Sequence, residues 1–268
     1  VGVVHLPALP GSPGFVAAGR PPLETILAFA RRQAQGFLDA GFDGLIVENY
    51  GDAPFFKESV PPESIAALAL ALREVLGVAK KKPVGVNVLR NDARAALGLA
   101  VVTGAAFVRV NVHCGAAATD QGIVEGRASE TLRVRDLLGA STPGERGVAI
   151  WADVHVKHAR PLDSDDVQRA AQDAAERGLA DAVLVSGAAT GEAPARSHVE
   201  RARRGVGRVP LLLASGLKAE SCAELAPLLD GAIVASDALE GGRAGAPLDP
   251  GRARALVKAF RAATGVRS

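Results

Sequence analysis

Asp153, His155 and Lys157 lie two residues apart in the run WADVHVKHA, 151–159. On a β-strand that spacing turns an acid, an imidazole and an amine to one face, with Val154 and Val156 on the other. A lysine so placed can form a Schiff base, act as a base or clamp an oxyanion. An acid–base pair drawn from Asp153 and Glu48 suits aldol or isomerisation chemistry. Lys157, Asp153, His155 and Glu48 are therefore the expected catalytic residues. The plain alternative for Lys157 is an ion pair with Asp153 or Glu48. The same alternation recurs in Arg109, Asn111 and His113, with Val108, Val110 and Val112 between them. His5, Glu48, Asn49 and Asn87 close other short apolar runs, and Ser186, Ser215 and Ser236 close three more. A buried polar group without a partner costs about 1–3 kcal/mol. Such a ring must satisfy itself, hold water or bind a ligand, and a ligand site is expected.

The elements that must position these residues are short apolar runs bounded by Gly, Pro or Asp. They predict strands at 2–6, 44–49, 84–89, 107–112, 148–154, 182–186, 209–215 and 232–236. Helical segments lie between them. The clearest spans 163–177, with Val167, Ala170, Ala171, Ala174 and Ala175 on one face, Asp163 or Ser164 as its cap and Gly178 at its end. Eight β-then-α units predict an α/β chain forming a single (β/α)8 barrel over 1–268. AGFDGLIV (40–47), TGAAFVRV (103–110), RGLADAVLV (177–185) and LDGAIV (229–234) each join a helix end to a strand through Gly. They precede every second strand, a paired repeat common in barrels that bind phosphorylated compounds. An open doubly wound sheet is the alternative, but its Gly-rich dinucleotide turn is missing after the first strand. The run from Pro7 to Pro22 reads as a stiff irregular loop rather than a helix. The run 113–129 lacks periodicity and reads as a lid or binding loop.

In such a barrel the polar residues at strand C-termini sit where active sites form, and phosphate is held on N–H groups after strands seven and eight. Ser215 and Gly216, Ser236, and Ser186 with Gly187 are the expected phosphate-binding residues. Asp237 and Glu240 oppose this by like charge unless they face away. His5, Glu48, Asp153 and His155 offer mixed nitrogen and oxygen donors, so a divalent metal ion is an open option; no cofactor is certain. They have no zinc-motif spacing.

Composition narrows the classes. Hydrophobic residues make up 48% of 268, which excludes disorder, and the net charge is +2. The basic runs at 80–82 and 201–208 are short and flank predicted helices, so no nucleic-acid partner is expected. Cys114 and Cys222 alone make neither a disulfide framework nor a zinc pattern, which fits a reducing, cytoplasmic setting. No apolar run approaches the roughly 20 residues of a transmembrane helix. No signal peptide is visible. Methionine is absent, so residues are expected to precede Val1.

Beyond these patterns, VHLPALPGSP (4–13), IVENYGDAPF (46–55), VNVLRND (86–92), VRVNVHCGAAATDQGIVEGRA (108–128), ADVHVKHA (152–159) and SGAATG (186–191) resemble the signature blocks of the BtpA/SgcQ family. The blocks occur in order over nearly the whole chain. The resemblance implies a ribulose-phosphate-binding type of barrel, cytoplasmic or in peripheral contact with a membrane. It also implies association with photosystem I biogenesis in cyanobacteria and with sugar metabolism in other bacteria. Carried over by position, it marks His5, Asn87, Arg109, Asn111, His113, Asp120, Glu125 and Thr190 as substrate-binding residues, beside Glu48, Asn49, Asp52, Asp153, His155 and Lys157. Cys114 stands where Thr is ordinary and receives no catalytic role. Two function classes stay open. One is a lyase or isomerase acting on a small phosphorylated, sugar-like substrate. The other is a non-catalytic biogenesis factor that uses the barrel for binding. A homo-oligomer is expected in either case.

Overall fold

The computed structural model describes residues 1–141, 147–162, 164–187 and 193–265. In chain order its elements are β1 (Gly2–His5), α1 (Pro13–Ala17), α2 (Leu23–Asp39), β2 (Leu45–Glu48), α3 (Pro62–Ala79), β3 (Val84–Asn87), α4 (Ala93–Thr103), β4 (Phe107–Val110), β5 (Ala116–Thr119), β6 (Gly122–Glu125), α5 (Ala128–Leu137), β7 (Ala149–Val154), β8 (Ala159–Pro161), α6 (Val167–Gln172), β9 (Ala182–Val185), α7 (Arg196–Gly205), β10 (Leu211–Leu213), α8 (Cys222–Leu225), β11 (Gly231–Ala232) and α9 (Pro250–Thr264). Among the described residues eight strands form one sheet in the order β1-β2-β3-β4-β7-β9-β10-β11, and β6-β5-β8 form a second, three-stranded sheet. Sequential parallel strands with helices between them are the (β/α)8 topology. All eight predicted strands are present; seven are trimmed at one end or both, and the last, expected at 232–236, is β11 at Gly231–Ala232. No helix among the described residues is long and apolar enough to cross a membrane.

The chain divides into two compact units. One, here the N-terminal unit, comprises Gly2–Val110 and Ser129–Ile150; the C-terminal unit comprises Val1, Asn111–Ala128 and Trp151–Ser268. In the N-terminal unit β1–β4 pair in parallel and are buried on both faces, as Val- and Ile-rich runs demand. Helix α2 buries Ile26, Leu27, Ala30, Ala34 and Phe37, spaced so that they share one face. Gly2 lies under Phe37: a Cβ there would sit 2.5 Å from the ring. Gly2 and Val4 therefore point to the helices, and His5 points the other way. Gly85 is likewise bare because the Phe107 ring fills the space beside it, 2.1 Å from where a Cβ would stand. Helix α4 starts on Asp92, which accepts the Ala95 N–H, and stops at Gly104 in the left-handed region (φ 88°). The run after β1 is not wholly irregular. Ser12 accepts the Phe15 N–H and Pro13 opens α1, a short helix that composition alone did not predict.

In the C-terminal unit β7, β9, β10 and β11 pair in parallel. Val1 extends this ladder. Its amino group donates to Ala232 O and its carbonyl accepts the Val234 N–H, both at 2.8 Å. The predicted lid is a β-hairpin, β5 with β6, whose free edge takes up β8 from 40 residues downstream. Val112, Ala117, Val124 and Val156 form a small core beneath it. The predicted helix 163–177 begins later, at Val167. Asp166, not Asp163 or Ser164, caps it by accepting the Gln168 and Arg169 N–H groups. Ser164 instead accepts the Asp166 N–H, and Asp163 lies outside the described residues. The segment 173–177 widens to a π-turn. The paired repeat also diverges here, for Leu179 and not Gly178 takes the positive φ. Gly178 is small for another reason: a Cβ would lie 2.5 Å from Cys114 Sγ.

Candidate functional site

In the N-terminal unit four polar residues occupy one register row. His5 pairs with Glu48 and Glu48 with Asn87. Gly85 pairs with Phe107 and Val86 with Val108, so the row runs on to Arg109. Residues paired in register share a face of the sheet. All four are at most 7% exposed. The Glu48 carboxylate is the hub. Its Oε1 accepts from Asn87 Nδ2 at 3.3 Å and Arg109 Nη1 at 3.2 Å, and its Oε2 lies 3.7 Å from His5 Nε2. A buried carboxylate and guanidinium are tolerable together because each neutralises the other and hydrogen bonds share out the charge. Tyr50 stacks on His5 with ring centroids 4.2 Å apart.

Asn49, one residue beyond the hub, has the opposite parity. It accepts the Leu89 N–H at 2.7 Å, donates back to Leu89 O at 3.3 Å, and donates to Asp52 Oδ2 at 3.2 Å. Asp52 Oδ1 accepts the Leu9 N–H at 2.7 Å. Burial pushes the Asp52 carboxyl above its usual range, against hydrogen bonds from Leu9, Asn49 and Ser12 that pull it down. These two residues tie the loops after β1, β2 and β3 together.

In the C-terminal unit Asn111 Nδ2 donates to Asp153 Oδ2 at 2.8 Å, and both residues are buried. Asp153 pairs with Leu184, and the ladder runs on as Ala214 N–H donates to Val185 O, so Ser186 shares the Asp153 face. Ser186 is 3% exposed, and its Oγ has no hydrogen-bond partner among the described residues; neither has Asn111 Oδ1. Gly187 is buried behind it.

Strand alternation ends where the strands stop. Strand β4 ends at Val110, and His113 turns aside: its Nε2 lies 2.8 Å from Gly178 O and the residue is fully buried. Strand β7 ends at Val154, and His155 takes a positive φ of 48°, which breaks the alternation. Its Nε2 lies 3.1 Å from Ser164 O, and its ring centroid is 6.0 Å from that of His198, a residue the sequence did not single out. Val156 joins the hairpin core, and Lys157, half-buried, stands in the turn before β8. Asp153, His155 and Lys157 are thus not three teeth of one strand face. Glu48 and Arg109 belong to the N-terminal unit, and Asn111, Asp153, His155 and Lys157 to the C-terminal one. Asp120 lies at the exposed hairpin tip and accepts from Gln121 Nε2, and Glu125 is exposed on β6. Thr190 lies outside the described residues.

His198 is held below its usual pKa, first by burial, then by electrostatic interaction with His155 and Arg201. A depressed imidazole contributes stability that is present above its unfolded pKa and lost as pH falls through the folded one. His198→Gln is expected to flatten the stability profile on the acid side of the ordinary imidazole range, read as thermal midpoint against pH. A variant profile parallel to the wild type would contradict the assignment.

The turns after β10 and β11 present N–H groups. Gly216 adopts a φ of 82°, which suits a glycine, and turns the backbone after Ser215. Among the described residues no acceptor takes up the N–H of Gly216, Leu217, Ser236 or Asp237. Gly216, Ser236 and Asp237 are partly exposed, Ser215 and Leu217 buried. The Asp237 carboxylate does not stand alone there. Arg252 of α9 donates to its Oδ1 at 2.9 Å and to its carbonyl at 2.7 Å. Glu240 is exposed. Both cysteines are poor nucleophiles: burial pushes Cys114 up and Cys222 to about 11. Among the described residues no group of three or more His, Cys, Asp or Glu side chains is placed to hold a metal ion.

This sheet order defines the (β/α)8 fold. Solved barrels agree. Orotidine 5′-phosphate decarboxylase from Pyrococcus horikoshii superposes with a TM-score of 0.57 at 14% identity, over 97% of this chain and 99% of that one. Phosphoribosyl anthranilate isomerase from Thermus thermophilus gives 0.55 at 17%, over 90% and 94%. The chain belongs to the BtpA family, whose sequence profile matches residues 1–262. It is 41% identical to the photosystem I biogenesis protein BtpA of Synechocystis, over all of this chain and 89% of that protein. It is 39% identical to an uncharacterized protein of Pyrococcus furiosus, over 99% and 96%.

Proposed function

We propose that the chain is a cytoplasmic enzyme of the lyase or isomerase class that binds a small phosphorylated, sugar-like compound in its C-terminal unit. The observation that carries this reading is the pair of buried, unpartnered polar atoms, Ser186 Oγ and Asn111 Oδ1, on the face of Asp153. Leaving each unmet costs about 1–3 kcal/mol, which a ligand's hydroxyl groups would offset. The untaken N–H groups of Gly216, Leu217, Ser236 and Asp237 supply the anion end. Arg252 offsets the charge of Asp237 nearby. Asp153, buried and oriented by Asn111, is the group that moves a proton, and Lys157 is its nearest rival in sequence. The barrels it resembles in fold include a decarboxylase and an isomerase named for phosphate-bearing compounds.

The test is a thermal-shift screen of sugar phosphates followed by calorimetric titration of a hit and its dephosphorylated form. The phosphorylated form is expected to bind at least about tenfold more tightly, the worth of one or two charge-assisted hydrogen bonds. Gly216→Val, which forces a side chain onto a positive φ, should remove most of that difference. Equal affinity for both forms would reject the phosphate reading. The second reading, a non-catalytic assembly factor, rests on the name of the Synechocystis relative. It gains if no phosphorylated compound binds.

A further inference from the structure

A cavity of about 370 Å³ lies within the N-terminal unit, walled by the loops after β1 and β2 and by Leu89. None of His5, Glu48, Asn87 or Arg109 lines it. It is lined instead by Asn49, of opposite parity to Glu48, and by Leu89 in the turn beyond β3, and so is separate from the buried polar row. Its volume lies in the range of small-molecule sites. The wall is apolar, with Pro13, Pro54, Phe55 and Phe56 facing the space. Phe56 is 54% exposed, although the whole chain has only eight Phe, one Trp and one Tyr. Next to Phe55 and the two prolines, Phe56 makes this apolar surface contiguous, which is the form that interaction sites take, and its ring offers a face for stacking.

Ser12, Asn49 and Ser64 are its neutral polar lining, and Asp52 is the ionisable group among the described residues that line it. Asp52 is 8% exposed, and it is already fixed by Leu9 N–H and Asn49 Nδ2. A carboxylate has about four lone-pair directions, so it can take a further donor. Among the described residues no Lys, Arg or His lines the cavity. A buried carboxylate without a neighbouring cation disfavours an anion and favours a hydrogen-bond donor or a positive charge. The cavity's chemistry is thus the opposite of the phosphate-binding turns, and the inference does not depend on them.

We propose that this cavity binds a small flat aromatic or heteroaromatic molecule that carries an amino, amidine or ring N–H donor, its ring against Phe55 and Phe56 and its donor on the Asp52 carboxylate. Asp52 is also the staple of the loops, so the variants that test the site spare it. Phe56→Ala removes an exposed wall, and Val60→Trp fills the space from the rim; the loop bonds of these residues, Phe56 O from Arg90 N–H and Val60 N–H to Asp92 Oδ2, are made by the backbone and do not need the replaced side chains. The probes are benzamidine, adenine and benzoate, titrated by saturation-transfer NMR. Benzamidine and benzoate share a ring and differ in charge; adenine carries a neutral amino donor. Benzamidine, adenine or both are expected to bind, benzoate at least about fivefold more weakly. Binding of benzamidine alone assigns a charged amidine-like donor, and binding of adenine a nucleobase-like ring. Phe56→Ala should weaken the bound probe by about fivefold, and Val60→Trp should abolish its signal. Ser186→Ala should change nothing, which separates this site from the phosphate reading. Benzoate binding as well as benzamidine, silence from both donor probes, or unchanged affinity in both cavity variants would overturn the proposal.

Discussion

Glu48→Ala is expected to destabilise the protein by about 3 kcal/mol, near the lower end of what removing one partner of a buried ion pair costs. The reason lies in the hub geometry. One carboxylate serves Arg109, Asn87 and His5 at once, and none of the four is more than 7% exposed. Its removal leaves the buried Arg109 guanidinium without the carboxylate that balances its charge. Water entering from the strand ends can repair only part of that. Glu48→Gln should cost less, since the amide oxygen can still accept from Arg109 or Asn87 but not match the charge. Urea unfolding at pH 7 measures both. The prediction requires a lower midpoint at unchanged denaturant dependence, with Ala losing more than Gln. An alanine variant within about 0.5 kcal/mol of wild type, the range of ordinary surface changes, would mean that the row is held by its other contacts.

This hub also marks how far parity could be read from sequence. His5, Glu48, Asn87 and Arg109 sit on regular strands whose register is set by apolar neighbours, so alternation places them in one row. The alternation was carried too far in two places. Beyond Val110 and Val154 the backbone leaves the sheet, and a positive φ at His155 points its ring toward Ser164 and not along the Asp153 face. Nothing local announces that turn, because His155 lies between two valines that read as strand. Val156 is apolar for a different reason, the small core under the hairpin. The hairpin itself escaped because AAAT and GIVE alternate weakly and the strand that completes them, β8, comes from far along the chain. A pairing of that range is decided by tertiary structure and leaves no periodic mark. Helix capping shows the same limit on a smaller scale. Asp163, Ser164 and Asp166 are all competent caps, and only the path of the chain out of β8 selects Asp166. The orphaned Ser186 Oγ has a visible signal, a serine at a strand end, but its lack of a partner is knowable only once neighbours are placed.

Gly85→Ala is the second change expected to have a large effect, about 3 kcal/mol or more. A Cβ at Gly85 would lie 2.1, 2.3 and 2.4 Å from three atoms of the Phe107 ring. That ring is 2% exposed, so it has no open side to swing into. Close-packed interiors relieve such overlap by moving backbone, which is where the cost arises. The consequence reaches the polar row, because Gly85 and Phe107 stand one layer beneath Asn87 and Arg109 on the same two strands. If β3 and β4 spread to admit a methyl group, the 3.2 Å and 3.3 Å bonds to Glu48 lengthen with them. The size of the ring should therefore decide the sign of the coupling. Phe107→Leu alone leaves a void and destabilises. Combined with Gly85→Ala, the new methyl occupies part of that void, and the double variant should be more stable than the sum of the two losses by about 1 kcal/mol or more. A double-mutant cycle on urea midpoints reads this directly. Strict additivity would show that Phe107 does not exclude a side chain at position 85, and that the glycine is retained for some cause other than the ring above it.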